Sequence, residues 1–215
     1  MGVGTPLYGA VLYKCENVLL GARKDDDEAY TESDVPVLNR EDYPIPTLDS
    51  LLTAGWPKKQ TILGRGILAV TTNLGAYDFA DGLALTPDNV GNREYHHIFP
   101  DALLREANMG SFLALNCALI SGRTNRNIGR KDPLKYLKER YQWIDEAIVH
   151  RRLSSHLIPI QELAHGGYED MVSDTERAEK IRSDFRAFLR KRAELMSKAI
   201  KALAQGRRVT ASEIV

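Results

Sequence analysis

Apolar side chains recur at helical spacing over several stretches of the chain. With Thr5 as its cap, the first stretch predicts a helix over residues 5–21. Thr47 is a typical helix cap and predicts a short helix over residues 47–55. The pattern then predicts a helix over about 58–74, and a long amphipathic helix over roughly 174–205.

Two short stretches in the middle of the chain follow a different pattern. Residues 94–99 predict a strand that ends at Pro100, and the apolar run ALNCALIS predicts a second strand over 114–121. A polar turn follows, and Asp132 and Pro133 then predict the start of a helix that continues to about residue 148. The predicted fold class is mainly α with a small two-stranded antiparallel element.

Composition restricts the function classes. The 215-residue chain is 43% hydrophobic and 27% charged, with a formal net charge of zero, so any nucleic-acid contact has to come from a local basic surface. Its two cysteines form no CxxC pair, which argues against a disulfide scaffold or a zinc knuckle. No stretch is apolar for long enough to predict a membrane span. We therefore expect a soluble, cytoplasmic protein with no membrane partner.

Charge is distributed unevenly along the sequence. Residues 25–50 carry nine acidic side chains against one arginine, with three prolines, and predict a solvated acidic loop. Residues 122–140 carry seven basic side chains against two acidic ones, a local excess of +5. Such a run is usually a solvated helix face, but beside a catalytic site it indicates a phosphate-binding surface.

The chemistry that stands out is the adjacent pair His96 and His97 in the segment EYHHIFP. A histidine pair alone is more often an incidental surface feature than a functional site. The spacing of the asparagines that follow it favours a functional role. Asn116 follows His97 by 19 residues, and Asn125 follows Asn116 by nine. A neutral imidazole can accept a proton at physiological pH, and a cation can spread the charge that develops when a phosphodiester is hydrolysed.

Two segments, EYHHIFPDALL and LNCALISGRTNRNIGRKDPLKYL, resemble the C-terminal HNH (ββα-metal) nuclease domain of GmrSD-like restriction endonucleases. These are bacterial defence proteins that cut modified foreign DNA. More remotely, the segments resemble the HNH domain of CRISPR effector nucleases. The close match covers roughly residues 92–140, and a weaker one continues through 155–159 into the last helix.

The resemblance implies an HNH ββα-metal core embedded in a helical domain. Residues 1–90 are then a helical N-terminal part with the acidic loop 25–50, residues 91–150 the nuclease core, and residues 151–215 a C-terminal helical extension packed on that core. The implied activity is metal-dependent endonucleolytic hydrolysis of DNA, expected to be double-stranded, in bacterial restriction and anti-phage defence.

Site roles follow from the same resemblance. His97 is implied as the general base, and His96 and Asn125 as ligands of a divalent metal, with Mg most expected and Mn, Ni or Zn possible. For ligands about 2.0–2.3 Å from one ion, we expect roughly 4 to 5 Å between the His96 ring and the Asn125 oxygen. Asn116 is interpreted as a buttress of the His97 loop, with a plain turn asparagine as the equal alternative.

The basic segment supplies further candidates. Arg126 and Lys131 are expected to position the phosphate or stabilise the transition state. The full predicted nucleic-acid-binding set comprises Arg123, Arg126, Arg130, Lys131 and Lys135. A run in the last long helix, Arg190-Lys191-Arg192, is expected to be solvent-exposed, with contact to DNA as the alternative.

Other interpretations stay open. The chain could be a catalytically silent, HNH-derived nucleic-acid-binding module, or a helical interaction protein whose histidines bind a stabilising metal. GmrSD-like proteins usually carry an N-terminal nucleotide-hydrolysing domain with an Asp-Gly-Gln-Gln-Arg type motif, which this sequence does not match, so a separate nucleotidase domain or subunit is a possible partner. Trp56 and Trp143 are expected to be packing anchors.

One geometric difficulty accompanies the assignment. Successive side chains of a regular strand point to opposite faces, so His96 and His97 could not both face one phosphate from its middle. The resemblance implies that the strand ends near them, before Pro100.

Overall fold

The computed structural model describes residues 27–29, 31, 41, 43–58, 61–86 and 88–215. The chain divides into two units, Met1–Ile45 and Pro46–Val215. The helix predicted over 5–21 and half of the predicted acidic loop, 13 of its 26 residues, lie outside the described residues. In the described part, no helix is long and apolar enough to span a membrane.

The second unit is mainly helical with one two-stranded antiparallel sheet, as predicted. Its helices and strands, in chain order, are α1 (Leu48–Leu52), α2 (Ile62–Asn73), β1 (Arg93–His97), α3 (Asp101–Glu106), β2 (Cys117–Ser121), α4 (Gly122–Ile128), α5 (Pro133–Tyr141), α6 (Glu146–Ser154), α7 (Ile160–Leu163), α8 (Asp174–Ala204) and α9 (Ala211–Ile214). Short 3-10 turns cover Val90–Asn92, Ala114–Asn116 and Tyr168–Asp170.

Side-chain caps fix several of the predicted helix starts. The Thr47 hydroxyl accepts a hydrogen bond from the Ser50 amide at the start of α1. At the start of α5, the Asp132 carboxylate accepts from the Lys135 amide, with proline at the first helical position. The predicted helix to residue 148 is interrupted, because Asp145 accepts a hydrogen bond from the Ala147 amide and caps a new helix, α6.

The two strands pair over their whole length, from Arg93 opposite Ser121 to His97 opposite Cys117. Helix α4 follows β2 directly and packs on both strands. The residue pattern predicted only a polar turn here. The helix forms because the Ser121 hydroxyl accepts from the Thr124 amide and caps it, and it ends at Gly129, whose positive φ of 59° suits a glycine.

Helix α8 is the central support of the unit. It packs against α1, α2, α3, α7 and α9, and its buried Phe185 and Phe188 rings lie 5.2 and 5.0 Å from the Phe99 ring. The buried core extends from Leu51 in α1 to Ile214 in α9. Residues on both sides of the predicted boundaries at 90 and 150 thus share one core.

Arg192 of α8 corrects the expectation of an exposed basic run. Its side chain is fully buried, and its guanidinium donates to the carbonyl oxygens of Leu115 (2.6 Å), Cys117 (3.0 Å) and His156 (2.9 Å). Arg190 and Lys191 are exposed. The prediction failed for Arg192 because this residue lies on the face of α8 that packs on the start of β2.

Trp143 also differs from expectation. It is 83% exposed in the link between α5 and α6, so it is not a packing anchor. Trp56, in contrast, is 9% exposed and packs beside the sheet, as expected.

Candidate functional site

The end of β1 and the middle of α4 meet at a cleft of about 340 Å³. His96 and His97 come from the strand, Asn125 comes from the helix, and all three line the cleft. Its other walls are formed by Tyr95 of β1, by the segment from Pro100 into α3 and by the residues just after α4; beyond Tyr95, these are Pro100, Asp101, Ala102, Arg105, Gly129 and Arg130.

His96 and Asn125 are in direct contact although 29 residues separate them. The Nδ1 atom of His96 and the Oδ1 atom of Asn125 lie 2.8 Å apart. Because an amide oxygen only accepts, the proton of this hydrogen bond is on Nδ1. The structure thus brings together the two residues that the resemblance implied as metal ligands.

The separation is shorter than the 4 to 5 Å expected from the sequence, and that expectation was wrong for a simple reason. It describes two ligands on opposite sides of one ion. Neighbouring ligands of an octahedral ion with bonds of about 2.1 Å lie roughly 3 Å apart. The observed distance is close to that of such a neighbouring pair.

Glu94 sets the orientation of the Asn125 amide. Its carboxylate accepts a hydrogen bond of 2.7 Å from Asn125 Nδ2, which turns Oδ1 towards His96. Gly122, at the start of α4, leaves room for this carboxylate, because a β-carbon there would collide with it. Glu94 was not among the predicted site residues, and its only signal in the sequence is its position two residues before His96 on the same strand face.

Burial keeps the His96 ring neutral. The side chain is 4% exposed, and desolvation lowers its pKa to about 4, against the opposing hydrogen bond to Asn125. The ring therefore carries no charge at neutral pH. A neutral imidazole is the form that binds a metal ion.

His97 is held by aromatic rings on the other face of β1. Its ring stacks on Trp56, with centroids 4.1 Å apart, and meets Phe112 edge-on at 5.0 Å. Burial lowers the pKa of His97, while Asp101 acts in the opposite direction. The Nε2 atom is buried without a hydrogen-bond partner in the described part of the chain, which leaves Nδ1 as the ring nitrogen to consider for proton transfer.

The two histidines point to opposite faces of the strand, as alternation requires, and still border one cleft. This is possible because β1 ends at His97, and the chain turns at Pro100 into α3. A backbone hydrogen bond holds Trp56 next to His97. The Trp56 amide donates to the Phe112 carbonyl at 2.9 Å, and this bond joins the loop after α1 to the loop before β2.

Asn116 is fully buried and bonded to backbone. Its Oδ1 accepts from the Phe99 amide at 2.8 Å, and its Nδ2 donates to the carbonyls of Phe99 and Ser111, both at 3.0 Å. These bonds to backbone around the turn that follows His97 are the contacts that the buttress interpretation predicted.

Asp78 is the second residue that the sequence did not indicate. Its buried carboxylate accepts hydrogen bonds from the Ser121 amide (2.6 Å) and the Thr124 hydroxyl (2.5 Å) at the start of α4, and it pairs with Arg93 of β1 at 3.4 Å. Burial acts to raise the pKa of Asp78, but the hydrogen bonds that it accepts outweigh burial and lower it. A single carboxylate thus ties the helix that carries Asn125 to the strand that carries His96.

The five basic residues that were predicted to bind nucleic acid differ in whether they line the cleft. Arg130 lines the cleft, and the exposed Arg126 lies 4.0 Å from Glu94. Lys131 does not line the cleft, and its side chain has other partners. Its amine pairs with Glu139 at 2.5 Å and donates to the Asn127 carbonyl. Arg123 is exposed, and Lys135 lies 3.6 Å from Glu169. Arg105, which was not predicted, lines the cleft and pairs with Asp101 at 2.5 Å.

Within the described residues, no group of three or more histidine, cysteine or acidic side chains is arranged to hold a metal ion. The His96–Asn125 pair is a smaller donor set of another kind. Comparison of the chain with protein-family models, with curated proteins and with solved structures finds no match.

Proposed function

We propose that the protein is a metal-dependent endonuclease of the HNH type, which hydrolyses phosphodiester bonds at the cleft between β1 and α4. One observation carries the proposal. His96 Nδ1 and Asn125 Oδ1 lie 2.8 Å apart in a cleft that His97 also lines. The candidate general base, His97, and the two candidate metal ligands, His96 and Asn125, thus lie at the same cleft, although Asn125 is distant from the histidines in the sequence.

The donor set suits a divalent cation. A neutral imidazole nitrogen and an amide oxygen lie at nearly the separation of neighbouring octahedral ligands; the cation would take the place of the proton between them, and the neutral ring would then carry its proton on Nε2. When bound, it would supply positive charge to the phosphate oxygens during hydrolysis. Mg is the expected ion, and the imidazole ligand also permits Mn, Ni or Zn.

His97 is suited to activate the attacking water. Its lowered pKa leaves the ring neutral at physiological pH, so it can accept a proton through Nδ1. Trp56 fixes the plane of the ring by stacking, and Asp101 would stabilise the imidazolium once the proton has arrived. Arg105 and Arg130, on the same cleft, supply positive charge for the phosphates on either side of the scissile bond.

DNA as the substrate, and a role in restriction or anti-phage defence, follow from the resemblance to GmrSD-like proteins. A separate nucleotidase domain or subunit as partner belongs to the same proposal. The site itself would serve any phosphodiester that reaches the cleft.

The proposal is tested by nicking of a supercoiled plasmid with Mg or Mn, with chelator as the blank. We expect His97→Ala to reduce the rate at least about 100-fold, as loss of a general base does. His150→Ala is the matched control, because His150 lies on α6 and does not line the cleft. Equal cleavage by wild type and His97→Ala would refute the assignment.

Two other outcomes identify the alternatives. Binding of DNA without any turnover would indicate a silent HNH-derived binding module. Thermal stabilisation by Mn or Zn without DNA affinity would indicate a helical interaction protein with a structural metal.

A further inference from the structure

Four aromatic rings lie along one face of the candidate site. Tyr95 and His97, two residues apart on β1, share a strand face. The Trp56 ring meets Tyr95 edge-on at 6.2 Å and stacks on His97 at 4.1 Å. Phe112 meets Trp56 edge-on at 5.5 Å and His97 at 5.0 Å. Trp56 therefore contacts each of the other three rings, the candidate base included.

Two rings of this row, those of Tyr95 and Phe112, are open to solvent. Trp56 is 9% exposed, whereas Tyr95 is 46% and Phe112 is 53% exposed. A single exposed aromatic side chain needs no explanation. Here two of them flank the same buried tryptophan, and one touches the ring of His97.

Three arginine side chains lie around the same place, and two of them are paired with acidic residues, Arg105 with Asp101 at 2.5 Å and Arg126 with Glu94 at 4.0 Å. Arg105 and Arg130 line the cleft, and the side chains of Arg105 and Arg126 are each 74% exposed. Tyr95 borders both this cleft and a second groove of about 1090 Å³ between α2 and β1. A strand that crosses the cleft therefore has space to continue past Tyr95.

Aromatic faces beside a cationic path are the arrangement with which proteins bind single-stranded nucleic acid. Bases of an intact duplex are stacked on their neighbours, so an aromatic side chain can stack only on a base that has left the helix. The charged rim complements phosphates, and the two exposed rings complement bases.

We propose that Tyr95, at the cleft, and Phe112, in contact with the His97 ring, stack unpaired bases of the strand whose phosphate the cleft binds. The substrate is then a nucleic-acid strand that is single-stranded, or locally unpaired, at the point of cleavage. This inference rests on the proposed function and departs from the duplex substrate expected from the sequence.

The test measures binding in chelator, so that no cleavage occurs. The probe is a short DNA strand with 2-aminopurine, whose fluorescence falls when the base stacks, compared with the duplex of the same sequence. We expect the single strand to bind at least about ten-fold more tightly and to be quenched. Tyr95→Leu and Phe112→Leu should each weaken its binding roughly five- to 100-fold and relieve the quenching.

Two variants serve as controls. Phe112→Tyr keeps the ring and should keep the binding. Trp143→Leu removes an aromatic side chain that is 83% exposed in the link between α5 and α6 and does not belong to this row of rings, and it should change nothing. Circular dichroism verifies that the leucine variants are folded, and loss of binding in Phe112→Tyr would contradict the stacking role.

The outcomes separate this inference from the proposed function. Equal affinity for strand and duplex, with no effect of the leucine variants, overturns the inference, and metal-dependent nicking that is lost in His97→Ala would then still support the nuclease. Quenched binding of the single strand without any cleavage supports the inference and overturns the nuclease. A protein that binds no nucleic acid overturns both.

Discussion

Glu94 shows how one exposed side chain can decide the chemistry of its neighbour. An asparagine amide can present either its oxygen or its nitrogen to His96. The bond of 2.7 Å from Asn125 Nδ2 to the Glu94 carboxylate selects the oxygen, which is the atom that can bind a cation. Outer contacts of this kind commonly influence metal affinity as strongly as the ligands themselves.

We therefore expect Glu94→Ala to lower the affinity for Mn by roughly ten-fold or more, measured by calorimetry. Gly122→Ala should act in the same direction, because its new methyl group displaces the unchanged Glu94 carboxylate. Glu179→Ala, at an exposed position of α8, is the control. Equal Mn affinity of all variants would remove Glu94 from the site.

At the scale of elements, Asp78 controls the position of α4 relative to β1. It accepts hydrogen bonds from Ser121 and Thr124 at the start of the helix and pairs with Arg93 of the strand. Since α4 carries Asn125 and β1 carries His96, this carboxylate acts on the site through the elements that it joins.

The ionised form of Asp78 makes this junction depend on pH. The pKa of Asp78 is lowered in the folded state. The carboxylate therefore contributes its full stabilisation at a pH above about 3.9, the ordinary aspartate pKa, and this stabilisation is lost as the pH falls through the lower pKa of the folded protein. We expect Asp78→Asn to reduce the free energy of unfolding by about 2 kcal/mol at pH 7. The difference from wild type should shrink as pH falls below about 4.

Urea denaturation of both proteins between pH 7 and pH 3 measures this difference. Asp170→Asn, at an exposed position, is the control and should stay within about 0.5 kcal/mol of wild type. A difference between Asp78→Asn and wild type that persists unchanged down to pH 3 would contradict the role of the carboxylate charge.

At the scale of the whole second unit, Arg192 joins parts that are distant in the sequence. From α8 it donates to carbonyls of the segment that enters β2 and to the carbonyl of His156. Burial lowers its pKa to about 10, so it stays protonated at neutral pH. Its hydrogen bonds satisfy three carbonyl groups beneath the sheet of the site.

We expect Arg192→Met to reduce the free energy of unfolding by at least about 3 kcal/mol, because three carbonyl groups lose their donor. Arg190→Met is the matched control on the exposed face of the same helix, with an expected change within about 0.5 kcal/mol. Thermal and urea denaturation measure both, and similar losses in the two variants would show that burial of Arg192 contributes nothing specific.

The sequence by itself determined the elements whose signals are local. Thr47 and Asp132 cap the helices that they predicted, the period of apolar residues gave α8, and the two short strand segments gave β1 and β2. Only the second of these strand segments, 114–121, is an apolar run; the first, 94–99, was predicted from its position before Pro100. Caps and periodicity act over a few residues, so they can be read directly. The resemblance to the HNH domain also implied that His96 and Asn125 would meet.

Tertiary structure alone decided the rest. Asp78 and Ser121 are 43 residues apart, and Trp56 is 41 residues from His97, so no local pattern links them. Whether Arg192 or Arg190 faces the core depends on which face of α8 meets the sheet. These contacts form only when packing brings distant segments together, and burial then fixes the charge and orientation of each group.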